Sequence, residues 1–234
     1  MNLQNMLEAA PSFLWSDGSD VTGLAMTAKL FLLSVVPGLV LAMLMAIGQV
    51  YGPRPLSYLI RSVTYFFRST PLYLQLMLIY YGLSQFDVVQ LGWQNDQPFW
   101  LLFRDATFCA TLALVLNTSA YVAQLLAGMM ETFPRQEWIA GEAYGIRRLV
   151  LPATLRRGIP ALNNEMVFLL HATSLASTVT LLDITGVARA LYAATYSPFI
   201  PFLMAAALYL LCTFLLIFLF SRAERRWLGF IRRD

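Results

Sequence analysis

Neutral polar side chains recur inside stretches that are otherwise apolar, and they are the residues best placed to do chemistry. They are Thr70, Gln75, Asn117, Tyr121, Gln124, His171 and Ser174. Asn117, Tyr121 and Gln124 lie at i, i+4 and i+7, so they share one face of a helix. Inside a bilayer such groups face the bundle interior or a wet cavity. The pattern predicts a path for a polar solute, and hydrogen bonding between helices is the alternative interpretation.

One acid, Glu165, also lies well inside an apolar stretch. Its carboxylate would suit a cationic solute, and an ion pair with Arg156, Arg157 or a neighbouring chain is an equally good interpretation. His171 is more typical of a neutral, hydrogen-bonded histidine than of a proton relay, because no second titratable group shares its face.

Several kinds of chemistry are excluded by residues that the sequence lacks. Lys29 is the only lysine, so a phosphate-binding Gly-x-x-x-x-Gly-Lys-Ser/Thr loop cannot be formed. His171 is the only histidine, so no histidine cluster can hold a metal ion. No nucleophile, base and orienting acid stand at recognisable spacing. We therefore predict no catalytic residues, no metal and no cofactor bound by this chain.

The elements that position these residues are long apolar stretches. Hydrophobic residues make up 59% of the chain and charged residues 12%, which is far from the soluble average. About 20 apolar residues span a bilayer. The sequence predicts an all-α integral membrane protein with one domain, 1–234. Its five predicted spans are 24–47, 59–83, 107–130, 161–182 and 202–221.

Most basic residues fall on one side of these predicted spans, at the turn after span one, in the segment 131–160 and in the C-terminal tail. Because positive segments stay in the cytoplasm, we expect an outside N-terminus and an inside C-terminus. The net charge of +3 is carried at membrane ends, where it meets anionic lipid, and does not indicate nucleic-acid binding.

Several motifs occur in order along this scaffold. They are Arg68-Ser-Thr-Pro71, Tyr80-Tyr-Gly-Leu-Ser-Gln-Phe86, Asn117-Thr-Ser-Ala-Tyr121, Glu137-Trp-Ile-Ala-Gly-Glu-Ala-Tyr-Gly145, Leu151-Pro152 and Ala223-Glu-Arg-Arg-Trp-Leu228. Together they resemble the membrane subunits of polar amino-acid ABC importers of type I. The likeness is closest to the M-type permeases of histidine/lysine/arginine/ornithine and arginine–ornithine systems.

This resemblance implies a type I permease fold in the bacterial inner membrane, with a periplasmic N-terminus and a cytoplasmic C-terminus. It implies four kinds of partner: a second, similar permease in a heterodimer, two ATPase subunits that use ATP and magnesium, a periplasmic amino-acid-binding protein, and lipid. It also implies that the loop 131–160 couples to the ATPases. The coupling residues would be Glu137, Ala140, Gly141, Glu142, Ala143, Gly145, Leu151 and Pro152.

The resulting expectation is an importer subunit for basic amino acids such as histidine, lysine, arginine and ornithine. The alternative is an ion-coupled carrier or channel subunit for small polar solutes. That alternative needs a titratable pair at mid-membrane and has no use for a structured inner loop. Polar residues in three spans do not suit a membrane scaffold that transports nothing.

Overall fold

The computed structural model describes residues 3–132 and 146–228, and the regular elements in these ranges are helical. The α-helices are α1 Leu3–Leu14, α2 Gly23–Tyr51, α3 Arg54–Ser69, α4 Leu72–Met77, α5 Asp87–Gln94, α6 Pro98–Leu101, α7 Ala106–Glu131, α8 Ile146–Ala172, α9 Ile184–Thr195 and α10 Phe199–Leu228. A π-helix covers Leu78–Gly82, and 3₁₀-helices cover Leu83–Gln85, Leu102–Arg104 and Thr173–Val179.

Three helices in the described ranges are long and apolar enough to cross a membrane: Gly23–Tyr51, Ala106–Glu131 and Phe199–Arg226. They contain the first, third and fifth predicted spans. The window that qualifies Ala106–Glu131 is 61% buried, whereas that of Phe199–Arg226 is only 6% buried. Few residues of the last helix are therefore buried within this chain, and many of its apolar side chains are exposed.

The other two predicted spans are interrupted, so a count of five stays a prediction. In the second, α3 ends at Ser69 and α4 begins at Leu72, with Pro71 between them. Proline removes a backbone donor and disfavours helix at the residue before it, which explains the break. In the fourth, α8 gives way to the 3₁₀-helix after Ala172.

The predicted inner loop, 131–160, is partly helical. Helix α8 already begins at Ile146, and it contains both Pro152 and Pro160. The outer segment between the second and third predicted spans also carries short helices, α5 and α6, where the sequence predicted a loop.

The described residues form two compact units. The first contains the described residues of 3–36, 70–115 and 169–213, and the second contains those of 37–69, 116–132, 146–168 and 214–228. In the first, Phe13 from α1 packs with Ile184, Val187 and Ala188 of α9 and with Ala205 of α10. This cluster fixes α9 against its neighbours.

A buried carboxylate organises the start of α9. Asp183 is fully buried, and it accepts hydrogen bonds from the backbone N–H groups of Thr185 and Gly186 as the helix N-cap. The Tyr209 hydroxyl donates to Asp183 Oδ2 across 2.9 Å. The Ile184 N–H donates to Thr27 Oγ1 across 3.2 Å. Side chains of α2 and α10 thereby hold the first turn of α9.

In the second unit, α3 is the most exposed helix, and Thr64 is its buried residue. The Gln49 amide of α2 donates to Thr64 Oγ1 across 3.1 Å, and the Ser57 hydroxyl donates to the Gln49 carbonyl across 2.6 Å. These bonds pin one side of α3 to α2. The remaining exposed side carries the functional candidates described next.

Candidate functional site

The predicted path residues are divided between the two units. Thr70, Gln75, His171 and Ser174 belong to the first unit. Asn117, Tyr121, Gln124 and Glu165 belong to the second. Each group is described here within its own unit.

Gln75 and Thr70 bond to each other at the break between α3 and α4. Gln75 is buried, and its Nε2 donates to the Thr70 carbonyl at 3.0 Å and to the Thr70 hydroxyl at 2.8 Å. A helix end leaves carbonyls without helical partners, and a side-chain amide can satisfy them. Gln75 therefore stabilises the break that Pro71 causes.

His171 and Ser174 lie where α8 becomes a 3₁₀-helix. His171 is exposed, its Nε2 lies 3.0 Å from Thr213 Oγ1, and its ring meets that of Tyr209 edge to face at 6.3 Å. Ser174 accepts a bond from the Ser177 hydroxyl at its carbonyl, across 2.9 Å. The His171 ring therefore has a hydrogen-bonding partner in Thr213 at the end of α8.

In the second unit, Asn117 and Tyr121 bind the last turn of α3. Asn117 Nδ2 donates to the Phe67 carbonyl across 3.3 Å, and the Tyr121 hydroxyl donates to the Arg68 carbonyl across 3.2 Å. The helical partner of the Phe67 carbonyl would be the N–H of residue 71, which proline lacks. Asn117 thus supplies the donor that Pro71 removes, and Tyr121 supplies a donor to the next carbonyl of α3.

Gln124, the third residue of this stripe, lines an open cleft of about 420 Å³, which we call the basic cleft. Among the described residues, the rest of its lining comes from α3: Tyr58, Arg61, Ser62, Tyr65 and Arg68. The lining thus combines two guanidinium groups with three hydroxyls and one amide. Such donors suit a polar ligand that carries negative charge.

In the second unit, the Arg68 side chain lies next to an aromatic ring of α7. Its guanidinium carbon stands 5.2 Å from the centroid of the Tyr121 ring, which is a cation–π distance. It also interacts electrostatically with Glu165, which is half-buried on α8. The sequence suggested Arg156 or Arg157 as partners of Glu165, and the charge of Arg68 also acts on this carboxylate.

Sequence reasoning counted Arg61 and Arg68 among the basic residues that set orientation and used Arg68 in the motif Arg68-Ser-Thr-Pro71, but it placed neither in the substrate path. Their signal was available in the spacing of Tyr58, Arg61, Tyr65 and Arg68, which places all four side chains on one helical face. The ion pair between Arg61 and Glu131, at 2.6 Å, had no sequence signal because the two residues are 70 positions apart.

Most of the predicted coupling residues lie outside the described residues: Glu137, Ala140, Gly141, Glu142, Ala143 and Gly145. Leu151 and Pro152 belong to α8, where Pro152 is exposed. Within the described ranges, no three His, Cys, Asp or Glu residues are grouped so that they could hold a metal ion.

Comparisons with known proteins give a consistent result. A family model described as a binding-protein-dependent transport system inner membrane component matches residues 38–229. The chain is 43% identical over 225 residues to the histidine/lysine/arginine/ornithine transport system permease protein HisM of Escherichia coli (strain K12). That match covers 94% of this chain and 93% of HisM.

Two further similarities extend this result. The nopaline transport system permease protein NocM of Agrobacterium fabrum is 35% identical, with 96% of this chain and 91% of NocM covered. Among solved structures, a chain in the crystal structure of an amino acid ABC transporter with histidines superposes with a TM-score of 0.78 at 27% identity. The superposition covers 97% of this chain and 99% of that chain.

Proposed function

Because the chain belongs to the family of binding-protein-dependent transport system inner membrane components, we propose that it is one permease subunit of an ATP-driven importer of basic amino acids. It is a transport component and not an enzyme in its own right. The 43% identity to HisM over nearly the whole chain is the observation that carries the choice of histidine, lysine, arginine and ornithine. Because the similar protein NocM is a nopaline transport permease, opines are the second class of substrate that we consider.

The substrate path is proposed to use the polar residues predicted from the sequence. In the second unit these are Asn117, Tyr121, Gln124 and Glu165; in the first they are Thr70, Gln75, His171 and Ser174. Neutral amides and hydroxyls can bind the ammonium and carboxylate groups of an amino acid without holding it too tightly to release. The Glu165 carboxylate would attract a cationic side chain.

Energy would come from partner chains. With Lys29 as its only lysine, this chain has no phosphate-binding loop, so two ATPase subunits would bind ATP and magnesium. A second, similar permease would complete a heterodimer, and a periplasmic binding protein would deliver the amino acid. The N-terminus would then be periplasmic and the C-terminus cytoplasmic, in agreement with the basic asymmetry.

Coupling is proposed for the segment from Glu137 to Gly145, with Leu151 and Pro152. Helix α8 starts directly after this segment, at Ile146, and Glu165 lies on the same helix. Nineteen residues of helix cover about 28 Å. A tilt imposed on the coupling segment by the ATPases would therefore be transmitted along α8 towards Glu165.

Reconstitution of the assembled transporter tests this proposal. The chain, its partner permease and the ATPases are placed in liposomes, and the binding protein is added outside. We expect enclosed ATP to drive uptake of arginine, lysine, histidine and ornithine, and a non-hydrolysable analogue to prevent it. Uptake driven by an ion gradient without ATP would contradict the proposal, and so would equal uptake of leucine.

A further inference from the structure

The basic cleft follows one face of α3. Tyr58, Arg61, Ser62, Tyr65 and Arg68 are spaced so that their side chains project to the same side, over about 15 Å of helix. All five side chains are exposed, whereas Thr64 of the same helix is buried. A face that carries two guanidinium groups is too costly to place against lipid, so it borders water or protein.

The two arginines of the basic cleft have different partners. Arg61 is neutralised by Glu131 at 2.6 Å. Arg68 is exposed, and its guanidinium carbon stands over the Tyr121 ring at 5.2 Å from the centroid. A guanidinium carries five N–H donors, and two of them can bind both oxygens of a carboxylate.

Two side chains of α7 bind backbone carbonyls of α3 at and next to Arg68. Tyr121 binds the carbonyl of Arg68, and Asn117 binds the carbonyl of Phe67. At the other end of the cleft the Arg61–Glu131 pair again joins α3 to α7. Because both ends are fixed, the Arg68 side chain starts from a defined position, which lowers the entropy cost of binding a ligand.

We infer that the basic cleft binds the carboxylate of the transported amino acid and that the Arg68 guanidinium donates a hydrogen bond to each carboxylate oxygen. The inference rests on the proposed function and adds a residue that the sequence analysis did not place in the path. Glu165 of α8 belongs to the same unit as Arg68, and the charge of the Arg68 guanidinium acts on its carboxylate. A zwitterion with a cationic side chain needs that combination, since its carboxylate and its positive groups require opposite partners. The cleft volume of about 420 Å³ lies within the usual range for small ligands.

The test measures direct binding of radiolabelled arginine and agmatine to the purified transporter without its binding protein. Agmatine keeps the guanidinium of arginine and lacks its carboxylate. The variants are Arg68→Gln, Arg68→Lys and the control Arg54→Gln, which removes an exposed arginine of the same helix outside the cleft. Gel filtration of each complex checks assembly.

We expect the unmodified transporter to prefer arginine over agmatine by about ten- to a hundredfold, the worth of a charged hydrogen-bonded pair. Arg68→Gln should remove this preference by weakening arginine alone, Arg68→Lys should restore part of it, and Arg54→Gln should keep it. A preference that survives in Arg68→Gln would overturn the inference, and so would equal weakening of both ligands. If the unmodified transporter binds neither ligand and also fails the uptake assay, the proposed function is wrong and the inference falls with it. If uptake succeeds without such binding, the inference alone is wrong.

Discussion

The Arg61 guanidinium donates to the Glu131 carboxylate across 2.6 Å, and this ion pair joins the middle of α3 to the end of α7. Both side chains are nearly half exposed, at 45% and 46%. Exposed pairs contribute about 0–1 kcal/mol, because water screens them and ordering two long side chains costs entropy.

We therefore expect Arg61→Gln and Glu131→Gln each to change the thermal stability of the second unit only slightly. A double-mutant cycle on the detergent-solubilised transporter should give a coupling of about 0.5 kcal/mol. A coupling of several kcal/mol would mean that the pair is buried by a partner subunit in the assembled transporter.

Asn117→Leu should reduce amino-acid uptake several-fold while the transporter still assembles with its ATPases. The substitution removes the donor to the Phe67 carbonyl at the end of α3 and one neutral group of the proposed path. Loss of the hydrogen bond alone should cost about 1 kcal/mol of stability. The measurements are uptake in liposomes and recovery of the complex by affinity purification.

Leu112→Met on the same helix is the matched control, because it conserves volume at a half-buried apolar position. If Asn117→Leu transports normally and only melts earlier, Asn117 acts solely as a bond between helices, and the path must run elsewhere.

The sequence could predict the break after α3 but not what stabilises it. Thr70-Pro71 is a local signal, because proline lacks an N–H and disfavours helix before it. That Gln75 donates to the Thr70 carbonyl and Asn117 to the Phe67 carbonyl depends on packing between segments. The sequence offered hydrogen bonding between helices only as a general alternative to the substrate path, without naming these partners. Helical spacing shows which side chains share a face, but not which backbone groups they will meet.

The sequence also failed to predict where α8 begins. It predicted a loop over 131–160 before the fourth span, yet α8 begins at Ile146 and contains both Pro152 and Pro160. A proline is tolerated inside a helix when neighbouring groups satisfy the freed carbonyls. By contrast, the apolar length of α2, α7 and α10 predicted those helices directly, because composition over about 20 residues outweighs single positions.

Single cysteines should report the orientation of the chain. The native thiols, Cys109 and Cys212, are first replaced by alanine. A cysteine at Asn95 should react with an impermeant maleimide added outside intact cells, because it lies in the outer segment by the basic asymmetry. Cysteines at Arg148 or Asp234 should react only after the membrane is opened. Outside labelling at Arg148 would contradict both the five-span topology and the cytoplasmic coupling segment.

Gly145→Trp should abolish uptake while the chain still reaches the membrane. A bulky side chain would prevent the tight turn that the family resemblance places at this residue. Gly128→Ala on α7 serves as the control, since a Cβ there would meet nothing within 4 Å. Immunoblots of membrane fractions measure the amount of each variant. Full uptake by Gly145→Trp would remove Gly145 from the coupling segment.

Asp183 should make the stability of the first unit depend on pH. It follows the last residue of the fourth predicted span, and burial raises its pKa from 3.8 to about 6, against the bonds from Thr185, Gly186 and Tyr209 that lower it. A raised pKa means that the folded state holds the proton more tightly than the unfolded state. Stability should therefore rise as the pH falls from 7 towards 4, and it should gain about 1 kcal/mol between pH 7 and pH 5.

The comparison with Asp183→Asn isolates this effect, because asparagine keeps one oxygen to accept from the N–H groups of the first turn of α9 and does not titrate. The difference in melting temperature between the original chain and Asp183→Asn should shift in favour of the original chain as the pH is lowered. Melting curves of the solubilised transporter at pH 7, 6 and 5 measure it. A difference that stays constant across these values would mean that the carboxyl group keeps a single protonation state throughout, and that the Tyr209 hydroxyl and the helix N-cap hold it charged despite its burial.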